Sequence, residues 1–199
     1  MNIKNLKSLA NTLIKLLPIY ILFFTITANS QITKGNWMFG GDASFSNKER
    51  FNNNFKNDKL KTSEFDIKAN AGYFFIDKLQ AGIRVGYSDY KRTNTSSDVN
   101  RYLLNYGAYS RYYFLNPEKL VNIYLDGGYF FGSSAFENGE LKDNTHGYSI
   151  SAGPTIFFNS SVAMELGLNY SSEKFKGVND STENNLQLSL GFQIFLTKK

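Results

Sequence analysis

The stretch from Glu64 to Tyr90, EFDIKANAGYFFIDKLQAGIRVGYSDY, constrains this chain more than any other. In its first arm Phe65, Ile67, Ala69, Ala71, Tyr73 and Phe75 alternate with Glu64, Asp66, Lys68, Asn70 and Gly72. Successive side chains of a strand point to opposite faces, so this arm is a strand with one apolar and one polar side. After Ile76-Asp77-Lys78 the alternation resumes, with Leu79, Ala81, Ile83, Val85 and Tyr87 against Gln80, Gly82, Arg84, Gly86 and Ser88. Two long strands joined by so short a connection form an antiparallel hairpin.

The same period recurs at 36–46, 101–114, 121–131, 148–158, 162–171 and 185–196, which gives eight alternating segments in all. Pro154 cannot donate to a ladder, so a bulge or local break is expected in the sixth. Short turns at 76–78, 116–118 and 159–161 alternate with long polar stretches at 46–63, 91–100, 133–146 and 172–183. The expected fold class is all-β: an eight-stranded antiparallel up-and-down transmembrane β-barrel, with three tight turns at one end and four polar loops at the other. Strands of about 11 residues rising ~3.3 Å each and tilted ~40° cover about 28 Å, enough for an apolar band of ~25 Å.

A soluble ligand-binding barrel alternates in the same way but hides its apolar face inside. Aromatic placement separates the two. On an up-and-down topology Phe45, Phe65, Tyr87, Tyr102, Tyr129, Phe131, Tyr148 and Tyr170 ring the long-loop end of the apolar face. Trp37, Tyr73, Phe75, Tyr112, Phe114 and Phe158 ring the short-turn end, with aliphatic residues between the two girdles. That layout suits a bilayer. The opposite face carries Asp42, Glu64, Asp66, Asp126 and Glu165 with Lys68, Arg84, Arg101 and Arg111. Near-balanced charge is what a narrow interior requires, because buried charges must pair. We expect these residues to form a structural network that occludes the lumen, centred on Arg84, Arg111, Lys68, Asp66, Asp126 and Glu165. Tyr124, Phe74, Leu103 and Met38 fall on the same face and would fill its gaps.

Residues 1–30 read as a secretory signal peptide: a start bearing Lys4, Lys7 and Lys15, the apolar core LLPIYILFFTIT, and Ala28-Asn29-Ser30 before cleavage at Gln31. A core of about a dozen residues is too short to span ~30 Å of hydrocarbon as a helix. The expected division is therefore 1–30 leader and 31–199 barrel. The chain's formal charge of +5 arises partly in the leader and is too dispersed to suggest nucleic acid. Cysteine is absent, which excludes disulfides, thiol chemistry and a lipoprotein anchor.

YFFIDKLQAGIRVGY at 73–87, RYYF at 111–114 and MELGLNY at 164–170 resemble small bacterial outer-membrane β-barrel proteins of the OmpA/OmpX type. The last strand, with Ser189, Gly191, Ile194 and Leu196, is similar to the carboxy-terminal signal read by the barrel-assembly machinery, though it runs past Phe195 to Lys199. The resemblance implies residence in the outer membrane of a Gram-negative cell envelope. It also implies a structural or surface-interaction role, with loops 46–63, 91–100, 133–146 and 172–183 displayed for adhesion or envelope integrity, toward a host or surface ligand. Two alternatives stay open: a narrow, porin-like channel or small-solute uptake barrel, and a lipid A-modifying barrel enzyme.

The enzyme reading rests on His146, the single histidine, placed at the end of the third loop; Ser149 and Ser151 nearby face the lumen by parity. No acid–serine partner motif accompanies it, so no catalytic residue is expected. No metal site and no cofactor is expected either, with one His, no Cys and scattered carboxylates. Lys48, Arg50, Lys56, Lys59 and Lys61, against Glu49 and Asp58, could meet lipopolysaccharide phosphates, although an ordinary solvated loop explains them more simply.

Overall fold

The computed structural model describes residues 31–51, 59–93, 98–136, 142–176 and 181–197. Among them are eight strands: β1 (Trp37–Phe51), β2 (Lys59–Ile76), β3 (Leu79–Thr93), β4 (Asp98–Tyr113), β5 (Val121–Phe136), β6 (Lys142–Phe157), β7 (Val162–Lys176) and β8 (Ser181–Leu196). Each pairs antiparallel with its sequence neighbour, and β1 pairs with β8 to close the barrel. The fold is the up-and-down barrel that the alternation requires. No helix among the described residues is long and apolar enough to cross a membrane, which says nothing about strands.

The strands run well past the expected length. Most of the stretches 46–63, 91–100, 133–146 and 172–183 is strand, and the loop reading is corrected accordingly. The pairs Phe51↔Lys59, Thr93↔Asp98, Ala135↔Lys142 and Phe175↔Ser181 carry the four hairpins beyond the outer aromatic ring. The apolar alternation stops where the bilayer stops, but backbone pairing continues into solvent with polar side chains. Hydrophobic period therefore marks the membrane band rather than the strand end. The segments 52–58, 94–97, 137–141 and 177–180 lie outside the described residues, as does the leader at 1–30.

One local expectation changes and one takes the milder of its two forms. The β2–β3 turn is tighter than 76–78: only Asp77 and Lys78 separate the strands, and Lys78 takes φ 66°. A register shift between Phe74 and Ile76 accompanies it, so Phe75 and Ile76 are both exposed. At Pro154 the expected interruption takes the form of a local break, with no bulge. The β6–β7 ladder skips from Ala152↔Leu168 to Thr155↔Glu165 and keeps its register across the gap, while Pro154 still faces Ile123 of β5. A missing donor interrupts one ladder without shifting it.

The outer face carries aliphatic residues such as Ile83, Leu104, Leu125, Leu166 and Leu190, all exposed. Of the girdle aromatics, all but Tyr102 and Phe158 are exposed. Tyr102 is half-buried and stacks on Tyr87 at 6.4 Å. Phe158 lies beyond the end of β6 in the turn, its N–H donating to the Val162 carbonyl, while its neighbour Phe157 points inward and is buried.

Candidate functional site

The lumen has two compartments. The lower one, at the short-turn end, is solid. Ile32, Met38, Phe74, Tyr109, Tyr113, Tyr124, Phe157, Ala163 and Phe195 form one buried cluster. Its rings meet at 5.5 to 6.5 Å, as in Phe157–Phe195, Phe74–Tyr113, Phe74–Phe195 and Tyr113–Tyr124. Residues 31–36 complete this floor. Ile32 is fully buried, its carbonyl accepts from Lys78 N, and Gly35 N donates to the Phe74 carbonyl. Gly35 does so at φ 94°, a conformation that a Cβ would strain. Lys34 N donates to Asp77 Oδ1, and Gln31 Nε2 donates to the Asn159 carbonyl. This segment carries no periodic signal, because it is neither strand nor helix and its one buried apolar side chain is Ile32.

Immediately above the floor sits the charge network. Arg111 is almost wholly buried and holds two carboxylates, Asp126 through Nε at 3.1 Å and Glu165 through Nη1 at 2.7 and 2.9 Å. Arg84 grips Asp126 from the other side in a bidentate pair at 2.8 and 3.0 Å and donates its Nε to Asn70. Glu165 also accepts from Tyr113 OH, Thr155 Oγ1 and Gln193 Nε2. Tyr109 and Tyr124 present their rings to the guanidiniums, with Arg84 over Tyr109 and Arg111 over Tyr124 at 4.5 Å each. Two cations thus face two anions with their hydrogen bonds largely supplied, the condition under which buried charge is tolerated. Gln80 Nε2 reaches Met38 Sδ, so side chains from every strand meet in this layer.

The remaining lumen residues stand apart from that core. Lys68 and Asp42, cross-strand neighbours, are 3.7 Å apart. Arg101 pairs with Glu183 at 2.9 Å near the outer mouth, between the rings of Tyr90 and Phe175. Glu64 accepts from Asn185. Asp66 is buried but reaches neither arginine; it accepts from Ser44 and Gln187. Sequence parity places these groups on one face, but height along the strand decides which of them can touch.

Lumen glycines make the close packing possible. A Cβ on Gly72 would lie 2.4 Å from Gln80 Oε1 and 2.6 Å from Tyr109 OH, and one on Gly40 would lie 2.1 Å from Gln193 Oε1. The buried amides of Gln80, Gln193 and Asn122 were not foreseen, since a polar residue on a lumen face reads the same whether it plugs or lines a channel. Above the network the barrel opens into a polar vestibule of about 450 Å³, lined by Glu64, Asp66, Lys68, Arg84, Arg101, Leu103, Glu173 and Glu183 among others. It faces the long-hairpin end.

His146 is not in a loop. It lies within β6, on the same outward parity as Tyr148 and Ile150, with its ring 6.4 Å from that of Tyr129. Ser151 is inside, bonded to Tyr124 OH, and Ser149 lines the vestibule. The barrel wall therefore separates the histidine from both serines. Among the described residues no group of three or more His, Cys, Asp or Glu could hold a metal ion.

With this geometry described, comparison with known proteins places it. Residues 19–194 match the family model described as outer membrane protein beta-barrel domain. No curated protein matches the sequence. Among solved structures, neisserial surface protein A shares 19% identity with a TM-score of 0.58, covering 81% of this chain and 97% of that one. The outer membrane protein OprG from Pseudomonas aeruginosa shares 13% identity with a TM-score of 0.54, covering 85% and 99%. At these identities the two structures share the fold.

Proposed function

The chain belongs to the outer membrane protein β-barrel family and resides in the outer membrane; on that premise we propose that it is a surface-interaction barrel rather than a through-channel. The observation that carries this reading is the two-compartment lumen. The periplasmic half is filled by residues 31–36, the aromatic floor and the Arg84–Asp126–Arg111–Glu165 layer. An eight-stranded barrel leaves an interior that side chains can just fill, whereas water-filled channels use about sixteen strands. What the molecule offers is then on the outside: four hairpins extended beyond the outer aromatic ring, and the vestibule between them. Their role is contact with an external surface or support of the envelope, and lipopolysaccharide is one candidate neighbour for the basic β1–β2 hairpin.

The leader at 1–30 would direct export, with cleavage before Gln31 releasing the segment that seals the floor. The β8 sequence ending at Leu196 would be the handle for the barrel-assembly machinery. A strain lacking the protein, compared with its parent for adhesion, detergent sensitivity and uptake of small solutes, tests the proposal. Reduced adhesion or increased detergent sensitivity with unchanged uptake is the expected result. A defect confined to solute uptake would overturn it.

A further inference from the structure

The barrel is closed by its shortest ladder. β1 pairs with β8 only from Trp37↔Leu196 to Ser44↔Ser189. Both strands continue upward. Residues 45–51 pair with β2 alone and residues 181–188 with β7 alone, so the seam between them is unpaired. Its lower lip lies within reach of the bilayer, since Phe45 belongs to the outer aromatic ring and Leu186 is the cross-strand partner of Tyr170. Apolar side chains flank the gap on the outer face: Leu188, Phe45 and Leu186 are all exposed, Leu188 the most of any large apolar residue described, at 74%.

Inside the seam, β8 reaches past β1 to the carboxylates of β2. Gln187 Nε2 donates to Asp66 Oδ2 at 2.8 Å, and Asn185 Nδ2 donates to Glu64 at 3.1 and 3.2 Å. Ser44 Oγ, from the last paired position of β1, donates to the same Asp66 oxygen at 3.1 Å. Asp66 is only 5% exposed, yet no Lys or Arg among the described residues pairs with it. The nearby cations are engaged elsewhere: Arg84 with Asp126, Arg101 with Glu183, Lys68 with Asp42. A buried carboxylate held only by neutral donors is an incomplete ion pair.

We propose that the unpaired β1–β8 seam is a lateral portal through which the ammonium head of a single-chain amphiphile in the outer leaflet reaches Asp66. The polar vestibule receives the head, and Phe45, Leu186 and Leu188 flank the tail, which stays in the apolar band. Charge sets the selectivity. An ammonium completes the Asp66 pair and an anionic head is repelled by Asp66 and Glu64, while an uncharged head leaves Asp66 uncompensated. This inference goes beyond the surface-interaction role and does not depend on it.

The test is an NMR titration of the protein in dodecyl maltoside micelles with dodecylammonium, dodecyl phosphate and butylammonium, reading the Gln187 side-chain amide and the backbone amides of 185–188. Dodecylammonium should give saturable shifts that dodecyl phosphate does not, with butylammonium much weaker. Asp66→Asn should weaken dodecylammonium binding by about tenfold or more, as loss of a partly buried charge partner does. A Phe45→Cys/Leu188→Cys protein, bridged through two disulfides by a bis-methanethiosulfonate with loss of sulfinate, should lose dodecylammonium binding and regain it when a thiol reductant opens the disulfides; the chain's lack of cysteine keeps that chemistry specific. Equal shifts with dodecyl phosphate, or an unchanged affinity in Asp66→Asn, would overturn the site. Undiminished dodecylammonium binding in the bridged protein, or butylammonium binding as tight as dodecylammonium, would overturn the lateral route. The distribution of effects over the variants separates these failures from misfolding, because the bridged protein must recover on reduction.

Discussion

Replacing Arg111 by Met probes the layer on which the occluded lumen depends. The two carboxylates that Arg111 holds respond differently to its loss. Asp126 retains the bidentate grip of Arg84, at 2.8 and 3.0 Å. Glu165 has no other cation among the described residues and is left with Tyr113, Thr155 and Gln193 as neutral donors. Removing one partner of a buried pair costs about 3–5 kcal/mol, and here nearly all of that cost falls on Glu165. Arg84→Met should therefore cost less, about 1.5–3 kcal/mol, because Asp126 keeps Arg111. Adding Glu165→Gln to Arg111→Met removes the orphaned charge and should recover at least about 2 kcal/mol. Urea unfolding of the barrel in lipid vesicles, followed through the single Trp37, reads the wild type and these variants, with Glu165→Gln alone to complete the cycle, as midpoint shifts at constant slope. Equal losses for Arg84→Met and Arg111→Met, or strict additivity of Glu165→Gln with Arg111→Met, would refute the assignment of the cost to Glu165.

The glycines give a contrasting pair. Gly72→Ala drives a methyl into Gln80 Oε1 and Tyr109 OH and should cost about 1–3 kcal/mol, whereas a Cβ on Gly127 meets nothing within 4 Å, so Gly127→Ala should fall within about 0.5 kcal/mol of the parent in the same assay. Depth in the bilayer gives another: Leu166→Arg, on the outer face midway between Val162 and the girdle residue Tyr170, should cost about 2–4 kcal/mol, and Leu186→Arg, level with Tyr170, about 0–1 kcal/mol. Equal costs for these two arginines in vesicle unfolding would contradict the placement of the aromatic ring at the interface.

Alternation from Glu64 to Tyr90 carried the hairpin, the strand count and the outward face because strand period and a one-sided solvent act on every residue alike. Strand length was less legible. From Ser46 to Phe51, and from Lys59 to Ser63, pairing continues with no apolar face to announce it. The lumen charges were legible as a set but not as pairs. Asp66 and Arg84 share a face, yet Arg84 bonds Asp126, forty-two positions along the chain, because barrel shear and height set the partner. Glu183, the partner of Arg101, read as loop. Residues 31–36 were silent, since a plug of irregular backbone held by Ile32 and a few main-chain bonds leaves no period. The open seam could not have been seen at all: strands 1 and 8 are far apart in sequence, and only their register shows where their pairing ends.

Occlusion of the periplasmic half of the lumen is tested most directly by planar-bilayer recording of the refolded wild-type barrel. The packing of Ile32, Phe74, Tyr113 and Phe195 beneath the Arg111–Glu165 pair predicts no steady conductance at either polarity, with at most small, rare openings. Sustained conductance of porin magnitude from the wild-type protein would contradict it.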